Sequence, residues 1–460
     1  MMPVSRSFQL KILTGSLLLS LLVYAQAIQL PFFSDDFQVM LRLSKNNFDT
    51  GIFLRPLGDL TLYLQYQVAG FNPLSYHVVN ILLHGCSGFL VVLLSFGFSD
   101  YYGIKQSRMV IGMMGGLLFI CYPMHAETVI WVIGRGILLS TLFVLLSLLM
   151  FVRWSALGKL HLQILSLLAF AIALLGYETA GVLPLVIFIL SIHRDRRIIA
   201  AFRVTWPYVA VMLGYILLRY AVLPEGDGGS YFRTGNGIGF YLYNYAALVS
   251  RGFIPPSANA VYFVASLLSV LLLLGLLMWG LMKRNIPFFR QACLYILLMV
   301  VALLPLVTVG ISTTDHEGGR FLYQSAVFTC LFVTVLLTGN FFRTRFFLPS
   351  VAVIFSLSVV LLLNVSGQWK LAGDAVTRAM DSLPVFDGPV SLDGAPDKIG
   401  SAYFFRNGLR EACIIYGKGD WAGPGVGNAV SEPPRPVQRY LYNNGVFVKD
   451  SPDPFDRKAR

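Results

Sequence analysis

Between His77 and Phe98 the sequence carries no Asp, Glu, Lys or Arg, and apolar stretches of comparable length recur as far as residue 364. About 20 apolar residues suffice to cross the hydrocarbon core of a bilayer as a helix. Backbone polar groups in lipid must be satisfied internally, so only helices and closed barrels span. These runs are continuous rather than alternating, which points to helices. Composition agrees, with 56% hydrophobic and 13% charged residues and a mean hydropathy of +0.69. About eleven spans are expected, near 10–30, 77–98, 108–122, 132–152, 162–176, 179–193, 204–223, 258–282, 291–311, 320–339 and 346–364. Arg6, Lys11 and Ala25-Gln26-Ala27 imitate a signal peptide, but the stretch from about Ile12 to Leu30 is long enough to span, so an uncleaved first helix is expected.

Charge sets the expected orientation. With the N-terminus inside, Arg108 and the segments 1–11, 99–107, 153–161, 194–203, 283–290 and 340–345 carry 15 of the 35 Lys and Arg. Their acids are only Asp100 and Asp195. This is the positive-inside pattern, and it accounts for the net charge of +12 without a nucleic-acid partner. The opposite, outer face then holds the first loop, the 123–127 turn, Glu178, the 224–257 loop and residues 315–317. In the 224–257 loop, Pro224 to Gly239 reads as mobile and 240–250 as an interfacial helix or a plain amphipathic connector. Beyond 364 the composition changes, and residues 365–460 hold 11 of the 23 acids. The expected organisation is a transmembrane domain over 1–364 and a small extracytoplasmic α+β or β-rich domain over 365–460. It includes a helix near 366–383 and a Pro-rich, charged tail from Glu432. The five cysteines show no paired spacing, so neither a disulfide framework nor a cysteine zinc site is expected.

Three polar clusters fall at the outer face. Asp35 and Asp36 follow the first run directly, among Phe32, Phe33 and Phe37. Acids near a bilayer are costly, and burial beside a like charge raises a carboxyl pKa toward the range of a general base. N-capping of the next helix by Ser34 or Asp35 is the structural alternative. The second cluster is the 121–136 turn, with His125, Glu127 and Arg135. His125 and Glu127 could join an Asp on a divalent ion and Arg135 could hold a phosphate, or Glu127 and Arg135 could form an internal ion pair. The third cluster is Asp315-His316-Glu317-Gly318-Gly319-Arg320. Arg320 at a span start suits a phosphate diester or a lipid headgroup, and His316 with its flanking acids imitates a metal site. Lesser candidates are Arg55, Tyr76, Glu178, Arg219, Arg233 and Arg251, together with His77, Asn80 and His84 on one helix face. For His84, hydrogen bonding between helices is the preferred reading.

Taken in order, these pieces form a pattern. The acid pair lies in the first outer loop, and Asn-Pro-Leu-Ser-Tyr-His-Val-Val-Asn-Ile-Leu-Leu-His leads into the second helix. Tyr-Pro-Met-His-Ala-Glu-Thr-Val follows with Gly-Arg shortly after, and Gly-Arg-Phe-Leu-Tyr-Gln-Ser opens a late helix. Over roughly residues 10–340 the chain resembles the GT-C superfamily of integral-membrane glycosyltransferases. The branch it resembles contains the transmembrane and tetratricopeptide-repeat O-mannosyltransferases and their bacterial relatives. The tetratricopeptide repeats of the eukaryotic members are absent from this sequence, which leaves the role of 365–460 and a protein acceptor open. The resemblance implies an all-α polytopic GT-C-like fold and inverting transfer of a sugar from a polyprenyl-phosphate donor to a protein, lipid or glycan acceptor. It also implies Asp35, with Asp36 second, as general base and Arg320 beside the donor phosphate, while His125 and Glu127 match the family's second acidic turn.

Chemistry adds the remaining expectations. Arg135 and Arg55 would assist Arg320 at the phosphate, and Glu178 or His316 would contact acceptor or metal. The phosphate is already a leaving group, so no nucleotide site is needed. A divalent ion fits the donor types without being required. The expected location is a bacterial inner membrane, multi-pass, with the C-terminal region periplasmic and lipids all around. The competing functions are a lipid-linked glycan flippase or transporter, which would use charges along a pathway through the membrane, and a glycan polymerase or ligase.

Overall fold

The computed structural model describes residues 5–49, 51, 53–101, 108–223, 237–282, 287–338, 344–386, 388, 390–419 and 438–450. The readings for Arg233, for 224–236, and for the tail at 432–437 and 451–460 lie outside these residues. In chain order the helices are α1 (Arg6–Val23), α2 (Asp35–Ser44), α3 (Pro56–Ala69), α4 (Pro73–Tyr101), α5 (Arg108–Ile120), α6 (Ala126–Ile130), α7 (Arg135–Leu157), α8 (Leu160–Leu174), α9 (Leu183–Asp195) and α10 (Ile198–Val222). They continue with α11 (Ile238–Arg251), α12 (Ala260–Met282), α13 (Pro287–Ala302), α14 (Ala326–Thr338), α15 (Thr344–Ser382) and α16 (Leu409–Ile415).

Five helices among the described residues are long and apolar enough to cross a membrane. The pair Arg108–Ile120 and Pro123–Ile130, bent by 45°, makes a sixth if read as one span. Apolar helices at Leu160–Leu174, Ala260–Leu276, Arg290–Leu306 and Ala326–Thr338 are shorter. Each of the eleven expected runs thus contains a helix among the described residues, but only five, or six with the bent pair, pass as complete spans. Leu268, Leu272 and Phe263 on α12, and Leu217 and Phe202 on α10, are exposed. Large exposed apolar faces of this kind suit lipid contact.

α4 sits at the centre, packed against α1, α5 and α7. Apolar helices gain nothing from leaving lipid for one another, so close backbone approach and buried polar bonds must hold them. Both devices are present. A Cβ on Gly116 of α5 would lie 2.4 Å from Val92 and 3.0 Å from the Gly88 carbonyl, so only glycine fits there. The Ser20 hydroxyl donates to the Ile81 carbonyl at 2.7 Å, tying α1 to α4. As expected from its face, His84 bonds across helices, to the Tyr323 hydroxyl at 2.8 Å and the Ile120 carbonyl at 3.0 Å. Ser147, Ser166 and Tyr208 link α7, α8 and α10 in the same way.

The boundary expected at 364/365 falls inside α15, a continuous 39-residue helix. Its first part is apolar and its second part buries Trp369, Ala372, Ala375, Val376 and Ala379 along one face. Small strands follow. β1 (Val390–Asp393) pairs parallel with β4 (Gln438–Asn443), which pairs antiparallel with β5 (Val446–Lys449). β2 (Lys398–Ile399) and β3 (Ala402–Tyr403) form a separate two-stranded ladder. This region is not set apart from the bundle: the Ser34 amide donates to the Phe404 carbonyl at 3.0 Å, and α16 packs on α2.

Candidate active site

A cavity of about 380 Å³ opens between α2, the start of α3, the 131–137 segment and Arg320. Its α2 wall is built by periodicity: Asp35, Gln38, Val39 and Arg42 all line it, as residues three and four apart share a helix face. Asp36, one position on, points elsewhere. This geometry separates the two acids.

Asp36 is fully buried. Its carboxylate accepts the Phe33 amide at 3.1 Å, the Ile133 amide at 3.0 Å and the Val132 amide at 3.4 Å. It clamps the 131–134 segment to the start of α2. Burial pushes its carboxyl up to about 8, against the three amide donors. Asp35 is only half-buried, lines the cavity, and accepts one side-chain bond, from Asn407 Nδ2 at 2.5 Å. Ser34, just before them, has φ +45°. Such backbone costs roughly 1–3 kcal/mol and persists only where surroundings enforce it. Here the Phe404 carbonyl and the Asn407 amide grip Ser34 from one side. Ser34 does not cap α2 with its side chain.

Arg320 faces the cavity over the Trp131 ring, 5.2 Å from its centroid. Its guanidinium pairs with buried Glu127, and its amide reaches the same carboxylate at 3.3 Å. The ion pair expected between Glu127 and Arg135 is therefore not formed; Arg320 takes Glu127. The Tyr403 hydroxyl completes the group, 2.6 Å from Arg320 Nη1 and 3.0 Å from Glu127 Oε1. Burial, with Glu127 adding to it, pushes the Tyr403 phenol far up, so it stays neutral.

Opposite, Arg55 stacks over Phe53 and Tyr177, at 4.2 and 4.0 Å, and pairs with Glu178 at 3.0 Å. Glu178 also meets Arg219 at 3.4 Å. Arg42 pairs with Asp59 at 2.6 Å on the cavity wall.

Of the expected site residues, Asp35, Arg55 and Arg320 line the cavity; Asp36, Glu127 and Glu178 sit behind it, as described, and Arg135, His125 and His316 also lie off it. Arg135 is buried and spends its guanidinium on Asn80 at 2.8 Å, Gln65 at 2.5 Å and the Tyr76 carbonyl at 3.0 Å. Asn80 in turn donates to the Trp131 and Val132 carbonyls at 3.2 Å, so Arg135 frames the cavity floor rather than lining it. His125 bonds the Phe119 carbonyl at 2.9 Å inside an aromatic box with Tyr323 and Tyr122. His316 is pushed down to about 4 by burial and by Arg251, and is neutral. The acids beside it are occupied: Lys398 bridges Asp315 at 2.8 Å and Glu317, and Arg406 reaches Glu317 at 2.7 Å. Among the described residues, no group of three or more His, Cys, Asp or Glu is placed to hold a metal ion.

No family model matches the chain. Over 104 residues it is 36% identical to Protein O-mannosyl-transferase TMTC2 of Homo sapiens, covering 22% of this chain and 11% of that protein. Over 101 residues it is 43% identical to Protein O-mannosyl-transferase TMTC4 of Mus musculus, covering 20% of this chain and 14% of that protein. These matches take in only a small part of either relative's length. The fold comparison reaches further. ArnT from Cupriavidus metallidurans, solved bound to undecaprenyl phosphate, superposes with a TM-score of 0.51 at 12% identity, covering 91% of this chain and 86% of that one. The chain has the GT-C fold and is a sequence relative of the O-mannosyl-transferases.

Within this GT-C fold, several site residues escaped sequence reasoning. Arg42 was legible in principle, because it repeats Asp35 at i+7 on an amphipathic helix. Tyr403 and Asn407 carry no local signal and reach the site only through the tertiary fold.

Proposed function

We propose that the chain is an integral-membrane glycosyltransferase that moves a sugar from a polyprenyl-phosphate donor to a hydroxyl acceptor, with Asp35 as general base. The observation that carries this reading is one cavity lined by half-buried Asp35, Arg55 and Arg320. The names of the sequence relatives and the lipid phosphate bound to ArnT support it.

The acceptor O–H gives its proton to the Asp35 carboxylate as the oxygen bonds the anomeric carbon. The bond from that carbon to the phosphate oxygen breaks, and its electron pair leaves with the phosphate. Attack from the face opposite the leaving group inverts the anomeric centre. Arg320 and Arg55 stabilise charge growing on the phosphate, where water is scarce and a fixed cation counts for most. Glu127 with Tyr403, and Glu178, hold these guanidiniums in place. Asp36 and Arg135 act through the backbone and side chains they fix. His125 and His316, away from the cavity, take no part in transfer. A divalent ion is not needed for any of these steps. The acceptor is a protein, lipid or glycan. In this reading the cavity faces the outer side, with the N-terminus cytoplasmic and the C-terminal region periplasmic in a bacterial inner membrane; the positive charge bias of the short segments supports the orientation.

Purified protein in liposomes tests the class of activity. It is given a fluorescent polyprenyl-phosphate sugar and a mixture of acceptor hydroxyls. Loss of the donor with a new glycoside supports transfer. Movement of intact donor between leaflets, with no glycoside, makes the protein a transporter instead.

A further inference from the structure

Resting on that reading, we propose that residues 398–407 complete the catalytic centre, with Asn407 positioning the base Asp35 and Tyr403 positioning Arg320.

The two halves of the reaction lie on loops far apart in the chain. Asp35 follows the first span, and Arg320 precedes α14. Residues 398–407 touch both. On the acid side, the Asn407 carboxamide donates to Asp35 Oδ1 at 2.5 Å and its amide donates to the Ser34 hydroxyl at 3.2 Å. The Ser34 amide donates to the Phe404 carbonyl at 3.0 Å. Gly408, with φ +81°, closes the contact, since a Cβ there would sit 2.5 Å from the Ser34 carbonyl. A residue with an enforced φ of +45° and the acid after it are thus held from one short segment.

On the cation side, the Tyr403 hydroxyl bonds both Arg320 and Glu127. Its ring packs 4.8 Å from Trp131 and 5.8 Å from Trp369. Lys398 and Arg406 fasten the same segment to Asp315 and Glu317, just ahead of Arg320. Burial lowers the Lys398 ammonium, but its bonds to these two acids raise it overall, so it stays charged and anchored.

Neither Asn407 nor Tyr403 lines the cavity. Their effect passes through Asp35 and Arg320. A carboxylate rotated away from the acceptor loses rate without losing donor affinity, and misplacement by about 1 Å can cost ~100-fold. Removing the Tyr403 hydroxyl loosens a cation that meets the phosphate in both ground and transition states, so donor KM moves as well.

The test uses the full chain in detergent with the labelled polyprenyl-phosphate sugar, and measures thermal stability, donor binding and initial transfer rate. Asn407→Ala is expected to lower kcat roughly 10- to 100-fold with donor KM changed less than about twofold. Tyr403→Phe keeps the ring and is expected to raise donor KM several-fold. Arg439→Ala, in the same region but paired with Asp393 at 2.9 Å on the surface, is expected to match wild type. Should Asn407→Ala fail to fold, Tyr403→Phe decides. Wild-type kcat and KM in the folded variants, beside an inactive Asp35→Asn, overturn this inference while leaving the base assignment standing. Full transfer by Asp35→Asn, or none by wild type, overturns the functional reading and this inference together.

Discussion

Replacing Asp36 separates a structural acid from a catalytic one. Asp36→Ala strands the Phe33 and Ile133 amides, bonded at 3.1 and 3.0 Å, and the more weakly held Val132 amide at 3.4 Å. Each buried donor left without an acceptor costs roughly 1–3 kcal/mol, so the two shorter bonds alone give ~2–6 kcal/mol before relaxation. Removing a carboxyl from a desolvated site returns part of that, so a net loss of about 2–4 kcal/mol is expected. Asp36→Asn keeps one acceptor oxygen and should fall between Ala and wild type. Asp35→Asn alters a half-buried side chain with one bond, and should cost less than ~1 kcal/mol. Cys121, Cys330 and Cys413 are buried free thiols, so a thiol-reactive dye reports unfolding directly. Midpoints should be compared at one heating rate, because membrane proteins commonly unfold irreversibly. The order expected is wild type and Asp35→Asn together, then Asp36→Asn, then Asp36→Ala. If Asp35→Asn falls as far as Asp36→Ala, or Asp36→Ala keeps the wild-type midpoint, the division of roles is wrong.

Three further outcomes follow from the same geometry. Because the folded carboxyl of Asp36 is raised from 3.8 to about 8, the folded state binds the extra proton between those values; stability should fall as pH rises across that window, and Asp36→Asn should flatten the slope of midpoint against pH. Burial raises Asp315 and Glu317, but Lys398, with Arg406 at Glu317, holds both carboxyls below their usual range; their contribution is present above the unfolded pKa and lost as pH falls through the lowered folded pKa, so Lys398→Met should lower the midpoint at neutral pH, and its difference from wild type should shrink as pH falls below the ordinary carboxylate range. Arg135→Ala removes three buried bonds and should cost ~3 kcal/mol or more in the dye assay, whereas Arg55→Ala should keep the midpoint and raise donor KM about tenfold, since a partly screened cation beside a phosphate is worth ~1–2 kcal/mol.

Apolar periodicity made the helices legible, because lipid leaves the backbone little choice. It did not resolve which are full spans: Pro123 breaks one run into two helices bent by 45°, and several others stop short of a membrane's thickness. The acid pair, Arg320 and Arg55 were visible as charges placed where charge is costly. Their partners were not. Glu127 lies eight residues from Arg135, near enough in sequence to make an ion pair one of two open readings, yet the fold brings it to Arg320. Arg135 looked like a phosphate ligand because an arginine among apolar residues signals function; here three neutral acceptors satisfy it. The change in composition after residue 364 suggested a separate domain, whereas Tyr403 and Asn407 bond Arg320 and Asp35 from outside the cavity and Trp369 packs on Tyr403. Such contacts depend on chain closure over hundreds of residues, which no local pattern encodes.

The most direct test is single-turnover transfer by Asp35→Asn. The purified variant is loaded with radiolabelled polyprenyl-phosphate sugar, its bound donor is quantified, and glycoside formation is followed beside wild type. Donor bound as in wild type, with transfer slowed by about 1,000-fold or more, is the expected result for loss of a general base. Transfer at the wild-type rate from equally bound donor would show that the base lies elsewhere.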